Sequence, residues 1–339
     1  MKRLFYNIDR LFVLCVIAVM MLACNKTEVH QYSGETATIR LKIPQLEVIS
    51  RVDVAGVENA INNLRVIILS KNAGSINKLF TPADLSSTSG GMITIENVPV
   101  GEVQMYVIAN EGGLGLDYSD LATLQKQVIT APETGMRKVL FQDEHREYFP
   151  KRGSLFPSAG LPMSWMNKNL VIESPTETVQ TIDVALLRAV AKLNIVMNNT
   201  TSNPITIQEV YLGSFFANSL YLFRETNLDV PQNTGYVTWD FTDLLIDVPS
   251  KSEETMVCYV YPSFAWRNIN DPCPYEIGFK INNATYEKRN FVQDGKELNS
   301  IERNTLININ ATLSEPANLK LRFIVEPWDS VKVVVPPFE

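Results

Sequence analysis

Near the carboxyl end, Ile307, Ile309, Ala311 and Leu313 alternate with Asn308, Asn310 and Thr312, and after a turn at Pro316 the residues Leu319, Leu321, Phe323 and Val325 repeat the pattern. A spacing of two puts one row of side chains on a dry face and the other on a wet one, which an extended strand does and a helix does not. The same alternation opens the chain's first ordered stretch, where Ile39, Leu41 and Ile43 face one way and Thr38, Arg40 and Lys42 the other. Pro44 ends that strand or leaves it at a sheet edge. Further β-rich runs lie at Leu64–Leu69, Met92–Ile95, Val103–Asn110, Ile205–Leu212, Tyr236–Phe241, Met256–Tyr261, Tyr275–Ile281 and Tyr286–Phe291. A chain punctuated this way is all-β.

Several of these runs carry more specific expectations. Leu64–Leu69 is apolar almost throughout, as a central strand buried on both faces would be. The Pro99-Val100-Gly101 turn between two β-rich runs predicts antiparallel neighbours. Leu161–Ser164 reads as a buried edge strand, and Ile182–Val196 as one long strand. The one expected helix is capped by Ser119, with Leu121, Leu124 and Val128 on one face. The polar stretch Ser174–Thr178 breaks the rhythm and predicts a domain boundary, giving an N-terminal domain over 36–175 and a C-terminal domain over 176–339.

The first residues are not part of that fold. Lys2, Arg3 and Arg10 precede an unbroken apolar run from Leu11 to Leu22, too short to span a bilayer and suited to a secretory signal over 1–23. The run ends in Leu22-Ala23-Cys24, which resembles the lipobox of bacterial lipoproteins, in which Cys24 is acylated. Each buried methylene of such an anchor contributes about 0.8 kcal/mol, so several acyl chains together hold a protein at a membrane. Polar residues 24–35 read as a tether. Loss of the leader takes the formal charge from −7 to about −9. Without a basic run, nucleic acid is not an expected partner.

With Cys15 in the leader and Cys24 on lipid, Cys258 and Cys273 remain. Outside the cytoplasm their spacing permits a disulfide contributing roughly 3 kcal/mol without requiring one, and two separately buried thiols are the alternative.

Short motifs across the mature chain resemble the fimbrillin family of type V pilus subunits. Arg51, a spacer, then Glu58, Ile61, Leu64 and Val66 match the family's opening. Pro99 and Gly101 before Val103, Tyr106, Val107, Ile108, Ala109 and Asn110, then Pro162-Met163-Ser164, follow in register. Leu186, Arg188, Ala191, Lys192 and Leu193 match a fingerprint of the second domain, and Arg303-Asn304 and Val325-x-Pro327-Trp328 match its end. The resemblance implies two tandem transthyretin-like β-sandwich domains with one short helix in the first. It also implies proteolysis after Arg51, release of residues 25–51, and capture of a strand from another subunit in the vacated groove. The β-prone Ser330–Val335 is then either a closing edge strand or a donated one. Asp329-Ser330-Val331 resembles a bacterial O-glycosylation tripeptide. The implied partners are other pilus subunits, a membrane through Cys24, and receptors on host or bacterial surfaces, and the implied location is a fimbrium at the outer membrane.

Catalysis is not expected. There are two histidines, no His-Glu-x-x-His and no Gly-x-Ser-x-Gly. Gly112-Gly113-Leu114-Gly115 lacks the spacing and the βα context of a phosphate loop, and Asp143-Glu144-His145 has no further ligands nearby in sequence. No cofactor or metal is implied. The alternative function is a surface lipoprotein that binds glycan on Trp165, Trp239, Trp266 and Tyr261.

Overall fold

The computed structural model describes residues 34–44, 58, 60–70, 75–88, 90–111, 128–130, 160–224, 229–238, 240–242 and 244–328. In the first half run β1 (Thr36–Lys42), β2 (Leu64–Ser70), β3 (Ile76–Phe80), β4 (Met92–Pro99), β5 (Gly101–Ala109), β6 (Val128–Thr130), β7 (Met163–Ile172), β8 (Gln180–Asp183) and β9 (Leu187–Arg188). Two sheets face each other, β4-β1-β8 and β3-β2-β5-β7-β9. Between them lie Ile39, Leu41, Ile93, Ile95, Leu64, Val66, Ile68, Met105 and Val107, all almost fully buried.

The helix α1 (Pro82–Ser86) starts where the sequence can stop its orphan amides. Thr81 Oγ1 accepts from the Asp84 amide, Asp84 Oδ2 accepts from the Thr81 amide, and Pro82 has no N–H to satisfy. Leu85 drops into the first core.

The second half contains β10 (Ala191–Asn199), β11 (Ile205–Leu212), β12 (Phe216–Ala217), β13 (Ser219–Tyr221), β14 (Tyr236–Val237), β15 (Asp240–Phe241), β16 (Ile246–Val248), β17 (Ser252–Val260), β18 (Glu276–Ile281), β19 (Ala284–Asn290), β20 (Val292–Gln293), β21 (Lys296–Glu297), β22 (Thr305–Ser314) and β23 (Asn318–Pro327). One sheet runs β17-β10-β22-β23 and the other β15-β11-β18-β19, with β16 also on β11. The alternation in β22 and β23 places its apolar rows as expected. Ile307, Ile309, Ala311 and Leu313 are buried, and Leu319, Leu321, Phe323 and Val325 pack against the same core.

A third apolar cluster joins the halves. Ile67, Tyr106 and Ile108 point away from the first core and meet Ala217, Leu220, Leu222, Phe223, Tyr259 and Tyr261. The Tyr106 and Phe223 rings meet edge to face at 5.1 Å. Ser164 Oγ donates to the Leu222 carbonyl at 2.6 Å, and β6 pairs with β13. This explains why β2 is apolar on both faces, and it is an inner strand between β3 and β5.

Several sequence expectations are corrected by pairing. β4 and β5 are not neighbours: the Pro99-Val100-Gly101 turn carries the chain from one sheet to the other. Gly101 at φ +107° makes that step, and the Val100 amide turns to the Glu35 carbonyl instead of closing a hairpin. The long run 182–196 is three strands, because it joins three sheets: β8 pairs with β1, β9 with β7, and β10 with β17 and β22. Residues 180–188 therefore join the sheets of the first half. Val128 lies in β6, not on a helix. Residues 119–127 of that expected helix fall outside the described residues. The run Tyr236–Phe241 is likewise divided, β14 pairing with β12 and β15 with β11.

Candidate functional site

β1 lies in the middle of its sheet although it is the first strand. It runs antiparallel to β4, from Thr36 opposite Pro99 to Lys42 opposite Met92, and parallel to β8, from Ile39 opposite Gln180 to Lys42 opposite Asp183. The flanking amides extend the ladder, Ile43 N donating to Gly91 O and Val184 N to Lys42 O, both at 2.9 Å. Ala37, Ile39, Leu41 and Ile43 are at most 6% exposed. Burying the three larger side chains contributes on the order of 5–9 kcal/mol, comparable to the whole net stability of a domain. The parallel partner begins late. Beside Thr36–Thr38 a cavity of about 390 Å³ opens, lined by Asn97, Pro175, Thr178 and Val179 among others.

Beyond the linker that follows β1, Glu58 is the next described residue, and it is only 4% exposed. Its Oε1 accepts from Lys192 Nζ at 2.5 Å and from the Tyr259 hydroxyl at 2.9 Å, and its Oε2 accepts from Trp328 Nε1 at 3.0 Å. Its carbonyl accepts from Arg188 Nε at 3.3 Å. The Trp328 ring stacks on Tyr259 at 5.7 Å and 11°, and the Arg188 guanidinium lies 4.3 Å from its centre. Burial, with the Glu58 charge beside it, pushes the Tyr259 hydroxyl far above its usual value, so it stays a donor.

Downstream of Glu58 the chain is held again. Asn110 is fully buried at φ +59°, a backbone conformation asparagine tolerates better than most residues. Its Oδ1 accepts from the Asn62 amide, and its Nδ2 donates to the carbonyls of Ala60 and Leu161. Asn304, also at positive φ, serves the same junction from the other side. Its amide donates to Val190 O, its carbonyl accepts from the Trp328 amide, and its Oδ1 accepts from Arg188. The adjacent Arg303 is buried against Asp229 at 2.6 Å and donates to the carbonyls of Tyr221 and Leu222, the segment that packs on the first half. Burial pulls its pKa below the ordinary arginine value, while the Asp229 charge opposes the shift.

The motif residues Glu58, Arg188, Lys192, Asn304 and Trp328 thus meet in space. Sequence reasoning named each of them but not their union. The signal available was a set of polar residues placed beside apolar strands without an obvious partner.

Cys24 and Arg51 lie outside the described residues, as do Asp143-Glu144-His145, Trp239 and Ser330–Val335. Cys258 and Cys273 are both buried, free thiols. Burial raises both pKa values, well above the ordinary value for Cys258. Of the aromatic residues considered for glycan stacking, Tyr261 is buried in the junction, and Trp165 and Trp266 pack partly buried against the two cores. Leu161–Ser164 leads into β7, which is covered at Met163 and Ser164 by β9. Among the described residues no helix is long and apolar enough to cross a membrane.

The family model described as fimbrillin-A associated anchor proteins Mfa1 and Mfa2 matches residues 56–334. Among solved structures, the chain is similar to the tip fimbrial protein Mfa3 from Porphyromonas gingivalis with C-terminal truncation. Identity is 12%, 87% of this chain and 99% of that one are covered, and the TM-score is 0.53. It is also similar to the fimbrilin FimA from Porphyromonas gingivalis W83, with 14% identity, 87% and 98% coverage and a TM-score of 0.51. At these identities the two likenesses are of fold. Among curated proteins none matches the sequence.

Proposed function

Because the chain belongs to the family of fimbrillin-A associated anchor proteins Mfa1 and Mfa2, a family of fimbrial structural and adhesion proteins and not of enzymes, we propose that it is a pilus subunit assembled by strand exchange at the β1 slot. In this reading it is exported as a lipoprotein acylated on Cys24. Proteolysis near Arg51 frees β1, and a strand from another subunit replaces it, building a surface fimbria that supports adhesion.

The observation that carries the reading is the position of β1. It fills a slot between β4 and β8, supplies a row of buried side chains, and precedes a linker containing Arg51. A replacement strand would recover both ladders and the apolar row. Removal without replacement would leave the edges of β4 and β8 unpaired and the core open.

The test is limited trypsin treatment of the purified precursor. An early cut after Arg51 followed by polymers that survive detergent is the expected result. A cut chain that stays monomeric under all concentrations would overturn the reading. A chain that keeps β1 while capping polymers of a second subunit would instead fit the anchoring named in the family description.

A further inference from the structure

We propose that a replacement strand enters the β1 slot at its Thr36 end, docking first in the cavity beside Thr36–Thr38, and displaces β1 progressively toward Ile43. The proposal rests on the strand-exchange reading above. It adds the point of entry and the form of the occupant, an extended strand with apolar side chains at alternate positions.

Three features make the Thr36 end the loosest part of β1. On the β8 side, pairing begins only at Ile39 and runs to Lys42, whose carbonyl also accepts from the Val184 amide. Beside Thr36–Thr38 stands the cavity of about 390 Å³ instead. On the β4 side the register slips at the same level. Ala37 and Ile39 are opposite Val98 and Ile95, so Glu96 and Asn97 form a bulge in β4, with Asn97 at φ +59°. The inward residue at this end is Ala37, whereas Ile39, Leu41 and Ile43 follow. A methyl removes far less apolar surface from water than an isoleucine or leucine side chain. What ties this end down is Glu35, whose carbonyl accepts from the Val100 amide at 3.1 Å and whose carboxylate accepts from the exposed Ser174 hydroxyl at 3.0 Å.

The cavity wall is exposed at Ser174, Pro175, Thr176 and Thr178, so a strand end reaches it from solvent. From there each pairing position the newcomer gains is one that β1 gives up, and the apolar row is never uncovered whole. Unaided departure of β1 would uncover Ile39, Leu41 and Ile43 together. Entry from the Ile43 end would begin where both ladders are formed.

The test measures uptake and release of a labelled synthetic peptide of residues 34–44 by the trypsin-cut chain, after the trypsin is quenched. In excess peptide the uptake rate should rise with peptide concentration, since the peptide takes part in the displacement. A rate independent of concentration would show that β1 leaves first and would overturn the proposal. Two matched peptides locate the entry. Ile39→Ala and Ile43→Ala remove the same atoms from positions buried alike. A contact already made in the transition state governs entry, and one made later governs exit. The Ile39→Ala peptide should enter about tenfold more slowly, and the Ile43→Ala peptide should enter at the wild-type rate and leave at least about tenfold faster. The reverse order, or equal slowing of entry by both, refutes the proposal. On the protein, Thr178→Trp in the cavity wall should slow uptake about tenfold, and Asp183→Trp, opposite Lys42, should leave it unchanged. Equal rates in these two variants count against the Thr36 end. If no peptide enters even the wild-type chain, the strand-exchange reading fails separately. Amide exchange in the intact precursor then decides which end opens: residues 36–38 exchanging at least about tenfold faster than 40–42 supports the Thr36 end, and equal or slower exchange rejects it.

Discussion

β1 and β10 occupy equivalent places in their two sheets and differ in how firmly they are held. Each lies between an antiparallel neighbour and a parallel one, β4 and β8 in the first half, β17 and β22 in the second. Each sends an unbroken apolar row inward, Ala37, Ile39, Leu41 and Ile43 against Ala191, Leu193, Ile195 and Met197. β10 is paired over its full length with β17 and from Lys192 to Asn199 with β22, whereas β1 meets β8 only from Ile39 to Lys42. β22 is backed by β23, while β8 is the last strand of its sheet. The turn after β10 is short and bonded, the Thr201 amide and hydroxyl donating to Asn199 Oδ1 and Asn199 Nδ2 donating to the Asn203 carbonyl. After Pro44, which follows β1, the next described residue is Glu58. The same architecture thus carries a longer parallel ladder in one half than in the other, and the difference lies in pairing, not in apolar content.

The largest effect should come from moving one truncation between the two slots. Leu193→Ala should cost about 2–5 kcal/mol in the intact precursor and in polymers alike. Leu41→Ala should cost a similar amount in the precursor and, under the proposed strand exchange, nothing in polymers. Denaturant melts of both states check this, and equal losses in the polymer would break the contrast. Next, a reporter thiol sharpens it. Cys258, opposite Leu193, should stay silent to a thiol reagent before and after the linker is cut. An Ile93→Cys variant, opposite Leu41, should become reactive on departure of β1, with a rate gain on the order of 100-fold as its protection falls to that of an open edge.

A smaller effect is Thr81→Ala, which removes the α1 cap and should lower the stability of the first half by about 1 kcal/mol while leaving the second unchanged, as domain-resolved hydrogen exchange would show. The smallest concerns pH, where the halves should behave alike. Bonds from the Thr81 amide and hydroxyl hold Asp84 below its usual value, and bonds from the Ser202 hydroxyl and amide do the same for Glu315. A depressed folded-state pKa gives stability that is present above the unfolded value and fades as pH falls through the folded one. Asp84→Asn and Glu315→Gln should each slightly flatten the loss of stability on acidification below the ordinary carboxylate range, followed by thermal melts across pH 5 to about 2.

Some of this was legible in the residues. The inward rows of β1, β22 and β23 follow from alternation, because a strand's two faces are set by local geometry. The apolar character of β2 announced an inner strand, and the short motifs announced the family. The helix α1 was missed, although Thr81-Pro82-x-Asp84 carries a cap and a first-turn proline, because five residues are too few to show a period. The partner of β4 was misread, because a Pro-x-Gly turn ends a strand without stating which sheet the next one joins.

By itself, then, the sequence determined an all-β chain and the buried row of β1. Only the tertiary structure decided that β1 is a middle strand, that residues 180–188 belong with the first half, and that Glu58 meets Trp328 across 270 positions of chain. The division has one cause. Which face a side chain takes is set by neighbours two residues away, whereas which strand it pairs with, and which buried charge it satisfies, is settled by contacts between segments that no local spacing records.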